Sequence, residues 1–430
     1  MREDAVRQST IRSAASGIRR FPLLQPLASR NFRLLWMGES VSVFGNFFQM
    51  IALAWVVLEA TGSGLALGTV MMAAAIPRAV FMLFGGVVSD RLSPRLVMLV
   101  SNTAQGVLVA LLALLVFAGT VELWHLYILM VVFGIVGAFF LPAMMTMIPR
   151  LVNKDRLEAA NSLVMATSQL SGFIGPAAAG FVVAAAGSAV AMGVDAVTFA
   201  IASVTLLLMR GISLRRRSTQ VNGELAEPAR QNSALSDMKE GLRYTWNTPE
   251  IRVLLPVIAV VNFCFIGPID VGLAWLAHEK FIEGAAGLGI MLSVFGGTAV
   301  FGALLAGSIK MRHLGIVFTV ITVVIGAGLG LVGVAPDLLV TCVLLGIMGI
   351  VNSFLNVRAI AWLQRIVQPD MLGRVMSLVM FASMGLAPVS LALAGWLVDL
   401  NHTVMFIVAG GLTMLTGLFM AASRTIRAID

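Results

Sequence analysis

The chain has 430 residues, of which 59% are hydrophobic and only 12% charged, and its formal net charge is +8. Soluble chains of this length carry about 25% charged residues, so most of this one is solvated by lipid or by itself, which excludes an ordinary soluble domain and leaves a polytopic membrane protein. Nucleic-acid binding, the usual reading of an excess of positive charge, is excluded by where the arginines sit: they cluster in the breaks between apolar runs, where they set topology.

Residues 1–33 contain the pair Arg19 and Arg20 but no apolar core before a small-residue cleavage site. They read as a cytoplasmic tail and not as a removed signal. A hydrocarbon core of about 30 Å needs roughly 20 apolar residues per helix. Runs of that size fall near 34–58, 66–89, 96–118, 123–148, 157–186 and 188–209, and again near 251–276, 284–308, 314–334, 338–363, 372–398 and 402–422. The expected fold is all-α membrane, with twelve spans in two six-helix bundles, 34–209 and 251–422. A polar cytoplasmic loop, 210–250, joins the bundles, and a short tail, 423–430, ends the chain. With the N-terminus inside, the cytoplasmic breaks hold Arg91, Arg95, Arg150, Lys310, Arg365 and Arg374, whereas Lys280 stands alone outside. Both termini are therefore expected in the cytoplasm. Cys264 and Cys342 lie inside apolar spans and read as small buried apolar residues.

Span 1 carries Glu39, Ser42, Asn46 and Gln49. Their spacing of three, four and three puts them on one helical stripe. The stripe is expected to line a water-accessible cavity, the alternative being hydrogen bonds between helices. Asn352 and Asn356, four apart on span 10, are its expected counterparts. Phe47, Met50, Met144, Phe265 and Met380 would supply an adaptable apolar lining.

Ionisable groups at membrane depth cost about 3 kcal/mol or more and are candidates for function. Counting at about 1.5 Å per residue, Glu39 lies about 9 Å from Arg33 and Arg358 about 10 Å from Arg365. The two could face one another across a cleft, or each could pair within its own half. Arg78 lies about 18 Å above Asp90, and Asp195 about 22 Å above Arg210. They could form an ion pair, or Arg78 could bind an anionic group of a substrate. Asp270 reads as interfacial at the outer end of span 7. The four histidines lie at span ends or in loops, so Glu39 is the expected proton carrier.

The halves also resemble each other. "VNKDRLEAANSLVM" (152–165) aligns with "VQPDMLGRVMSLVM" (367–380). Such duplication is the construction of secondary transporters, whose site lies between repeats near the bilayer midplane.

Between spans 2 and 3, "GGVVSDRLSPRLVM" places Gly86, Asp90, Arg91, Pro94 and Arg95. This resembles the loop signature G-x-x-x-D-R-x-x-R-R/K of the major facilitator superfamily, with Pro94 at the first of the two terminal basic positions. Asp90, at a helix carboxyl end where the macrodipole repels an anion, needs a partner. The resemblance implies that this is the start of helix 11, near Met371 to Arg374, and that the contact locks the outward-facing state. Met311 stands at the corresponding position of the second half. Span 5 holds "SGFIGPAAAG" (171–180), similar to the superfamily's antiporter signature, in which Gly175 allows close helix approach and Pro176 bends the span. The chain as a whole looks most like the exporter branch that includes macrolide-efflux and enterobactin-export proteins, but span 4 lacks the arginine tied to proton coupling in the drug/proton antiporter branch. What the resemblance implies is a monomeric exporter of lipophilic small molecules in a bacterial inner membrane, powered by the proton gradient without bound cofactor or metal. An exporter of a siderophore or anionic lipid-like metabolite is the alternative, and a non-transporting sensor a third. An enzyme is not expected, because no phosphate loop or H-E-x-x-H is present.

Overall fold

The computed structural model describes residues 22–210, 234–309, 311, 313–427 and 429. Among these every regular element is helical. In hydrocarbon each backbone N–H and C=O must be satisfied within the segment, and only a helix does this for an isolated apolar run.

The first half holds α1 (Arg30–Thr61), α2 (Gly64–Arg91), α3 (Pro94–Phe117), α4 (Leu123–Gly137), α5 (Phe140–Leu151), α6 (Leu157–Ala186) and α7 (Ser188–Leu208). α4 and α5 together make one crossing of 29 residues, Leu123–Leu151. α6 passes to α7 through Gly187 alone, at φ 85° and ψ 165°, a conformation that a residue with a Cβ rarely adopts. The second half holds α8 (Ala234–Asn247), α9 (Pro249–Gly267), α10 (Leu273–Glu279), α11 (Gly284–Ser308), α12 (Leu314–Val332), α13 (Leu338–Ile366), α14 (Pro369–Met384), α15 (Ala387–Ala422) and α16 (Arg424–Arg427). A π-helical turn, Pro268–Gly272, joins α9 to α10. Pro268 has no N–H to donate, and the helix widens there.

Among the described residues eleven stretches are long and apolar enough to cross a membrane, and the last, Pro369–Ala422, runs for 54 residues. That is about 80 Å, far beyond one crossing. Asn401 leaves the helical conformation inside α15, at φ −169° and ψ 113°, and divides the stretch in two. Twelve crossings result, as the apolar runs predict.

The described residues form two compact units, one within 22–56 and 73–210 and the other within 57–72 and 234–429. In the first, α3 and α1 both pack on α7. A Cβ on Gly38 would overlap Thr205, and one on Gly45 would overlap Thr198 and Asp195, so two glycines seven apart let α1 approach residues seven apart on α7. Phe32, Leu35, Met98, Met147 and Leu206 form an apolar core in this unit. In the second unit α11 lies against α13 closely enough that a Cβ on Gly302 would overlap the Ile350 carbonyl. Ile251, Phe318, Trp362, Val375 and Met420 form a core there.

Three segments read as loop or tail are built into these units. α8 docks on α14: Glu240 pairs with Arg374 at 2.9 Å, the Gln368 N–H donates to Tyr244 Oη at 3.4 Å, and Thr245 is buried. A 3₁₀ turn, Pro22–Ala28, precedes α1, and Ser29 Oγ donates to the Leu151 carbonyl at 3.0 Å. At the other end Ile426 and Ile429 are buried, and the Gly315 N–H donates to the Ile429 carbonyl at 3.1 Å. Short amphipathic pieces of this kind lack the apolar length by which spans are recognised.

Candidate functional site

Span 1 is where sequence and packing differ most. Glu39 is 5% exposed, Ser42 4% and Gln49 7%, while Asn46 is exposed. The stripe therefore does not line a hydrated cavity along its length, because the close approach of α7 over Gly38 and Gly45 shuts much of it into the first unit. The Glu39 carboxyl lies within reach of the Asn102 side chain on α3. Asn102 is 1% exposed, and its amide nitrogen completes no hydrogen bond of good geometry. The result is a buried acid beside an under-used donor. Gln105, one turn along α3, is also buried. Asn102 and Gln105 are three apart in an apolar span, the same signal that singles out the α1 stripe, and it was available in the sequence.

Arg78 is exposed, and its Nη2, like Gln105 Nε2, lies 3.0 Å from where a Gly137 Cβ would stand. Among the described residues no ion pair joins it to Asp195, the first of the two arrangements open to it. Asp195 is fully buried and takes its one side-chain hydrogen bond from Thr198 Oγ1 at 3.0 Å. In the second unit Asn356 Nδ2 donates to the Asn352 carbonyl at 2.9 Å. Arg358 donates to the Ile309 carbonyl and stands over the Phe354 ring, 5.7 Å from its centre. Glu39 thus lies beside Asn102 of the first unit, and Arg358 beside Ile309 and Phe354 of the second. Asp270 lies on the π-turn, half-buried between buried Ile269 and Val271.

Of the loop signature, the side chains of Gly86, Asp90 and Arg91 lie outside the described residues. Arg95 donates from Nε to the Leu206 carbonyl at 2.8 Å and from Nη2 to the Leu207 carbonyl at 3.0 Å. It caps the carboxyl end of α7, where a cation is favoured. Arg95→Met is expected to lower the stability of the purified protein by about 1–2 kcal/mol, read as an earlier thermal midpoint. An unchanged midpoint would show these bonds to be idle. Pro176 is buried inside α6, and a Cβ on Gly175 would come within 2.5 Å of the Phe47 ring, so the α6 signature serves close packing of α6 on α1. Arg374, at the start of the helix expected to meet Asp90, pairs with Glu240, and the expected latch contact lies outside the described residues because the Asp90 side chain does.

Residues 22–430 match the family described as transmembrane secretion effector. The chain is 28% identical over 368 residues to the multidrug efflux pump Tap of Mycolicibacterium fortuitum, a match that covers 83% of this chain and 86% of that one. It is 23% identical to macrolide efflux protein A of Streptococcus pyogenes, over 93% of this chain and 97% of the relative. The crystal structure of a POT family transporter in complex with a thioalcohol-conjugated peptide superposes with a TM-score of 0.71 at 15% identity, covering 91% of this chain and 96% of that one. A family match across nearly the whole length, on an all-helical chain with this many membrane crossings, makes the protein a multi-pass membrane transporter that belongs to the transmembrane secretion effector family of the major facilitator superfamily.

Proposed function

We propose that the protein exports amphipathic or lipophilic small molecules from a bacterial cytoplasm by alternating access, driven by the proton gradient. It works as a monomer in the inner membrane with both termini in the cytoplasm. The observation that carries this reading is Glu39, an acid buried in an apolar span beside the incompletely bonded Asn102 amide. An ionisable group at that depth is retained for function by default, and a carboxyl that takes up and gives up a proton is what coupling requires. The names of the Tap and macrolide relatives support the substrate class. Proton coupling rests on Glu39, with no arginine in span 4 to assist it.

A second reading, export of an anionic siderophore or lipid-like metabolite, is favoured by the exposed Arg78 in the middle of α2. Thermal denaturation of the purified protein separates the two. Tetraphenylphosphonium or erythromycin is expected to raise the melting temperature, since a ligand at 100 times its Kd adds about 2.7 kcal/mol to the folded state. Stabilisation by a catecholate alone would select the second reading. No shift with any of the three would count against both.

A further inference from the structure

Among the described residues the acid with the least solvent exposure is not Glu39. Asp195, midway along α7, is 0% exposed. Its Oδ1 accepts from Thr198 Oγ1 at 3.0 Å, but the same hydroxyl also donates to the Asp195 carbonyl at 2.8 Å, so one proton is shared between two acceptors. Oδ2 has no hydrogen-bond partner among the described residues. Buried polar atoms without partners are rare, and each calls for a physical reason. The facing residue on α1 is Gly45, where a Cβ would overlap both Asp195 Oδ1 and Thr198 Oγ1. The acid therefore occupies space that the glycine leaves open, and the orphaned oxygen is sealed into the unit by design of the α1–α7 contact.

The charged surroundings are sparse. α7 has no other titratable residue. From α1 the nearest is Glu39, six residues from Gly45 and about 9 Å along the helix. On α3 only Arg95 is charged, and it is engaged by the carbonyls at the far end of α7. α6 offers only Glu158, in its first turn. Arg78 of α2 makes no ion pair with Asp195. A metal cation would need several more oxygen ligands than one carboxyl, one hydroxyl and one carbonyl. The ligand that fits an enclosed, single carboxyl oxygen is a proton.

We propose that Asp195 is a second proton-binding site of the transport cycle, enclosed in the first unit by Gly45 and Thr198. The site would load when the α1–α7 contact loosens and close when Gly45 returns over it. Its role in transport rests on the exporter reading, but proton binding itself can be read without a substrate. The test is pH-difference infrared spectroscopy of the full chain in liposomes between about pH 5 and about pH 9. A carbonyl band of protonated carboxyls that disappears as the pH rises is expected in the unmodified protein, and the component of it that remains in Glu39→Gln is expected to be missing from Asp195→Asn. Should Asp195→Asn fail to fold, Thr198→Val keeps the acid and removes its donor, and is expected to shift the pH at which the band disappears. Spectra in which neither variant differs from the unmodified protein would overturn the proposal. Ethidium efflux from the same liposomes under an imposed pH gradient reports separately: its absence in the unmodified protein would count against drug export, not against the proton site.

Discussion

Glu39→Gln is expected to abolish efflux driven by a pH gradient, with a loss of about 100-fold or more in initial rate, while ligands still raise the melting temperature of the variant. The expectation follows from packing. Glutamine has nearly the shape of glutamate, keeps an oxygen within reach of Asn102, and spares the first unit a cavity, so the fold should persist. What is removed is the ability to exchange a proton at a buried position on α1. Initial rates of ethidium efflux and a parallel thermal-shift series check both halves. Undiminished pH-driven efflux in Glu39→Gln would remove Glu39 from the coupling mechanism.

The second large effect is expected in the other unit, where residues 57–72 pack against the start of α15. Asp399 caps the amino end of α2: its carboxylate accepts from Ser63 Oγ at 2.6 Å, from the Gly64 N–H at 2.5 Å and from the Leu65 N–H at 3.0 Å. An acid at a helix N-terminus satisfies otherwise unpaired donors and complements the macrodipole. Beneath the cap a Cβ on Gly395 would overlap the Gly64 carbonyl, and one on Gly68 would overlap the Leu391 carbonyl. Backbone meets backbone at both points, so no side chain can turn aside to relieve the strain. Gly395→Ala is expected to destabilise the protein by about 1–3 kcal/mol through this overlap. Asp399→Ala, at an exposed position, is expected to cost about 1 kcal/mol. Thermal midpoints of the two variants measure the difference. A Gly395→Ala protein as stable as the unmodified one would mean that α2 does not approach α15 this closely.

How much of this was legible follows from the length scale of each signal. The crossings could be read because each is a run of about 20 apolar residues ended by Gly, Pro or charge, and no packing knowledge is needed to see that. The docking of α8 and of Ile426 could not, since these pieces are short and the residues they meet, Arg374 and Gln368 in one case and Gly315 in the other, are distant in sequence. The direction of the α1 stripe was half legible. Helical spacing groups Glu39, Ser42, Asn46 and Gln49 correctly, but which neighbour they face depends on Gly38 and Gly45 meeting Thr205 and Thr198, and that match exists only when two helices are considered together. Asp195 was visible as an embedded acid, yet the pairing with Arg78 held open for it rested on depth alone. Equal depth does not give equal direction around a helix: Arg78 turns to Gly137 and Gln105, and Asp195 to Gly45.

The central claim is that this family member couples the export of a lipophilic molecule to inward movement of protons through carboxyls buried in its first unit. Proteoliposomes containing the purified protein, with ethidium and an entrapped pH indicator, measure the two fluxes together. An imposed pH gradient should drive ethidium uphill, with protons moving the opposite way in fixed proportion, and both movements should be lost in Glu39→Gln. Ethidium transport that proceeds equally well without the gradient, or with no accompanying proton movement, would contradict the account.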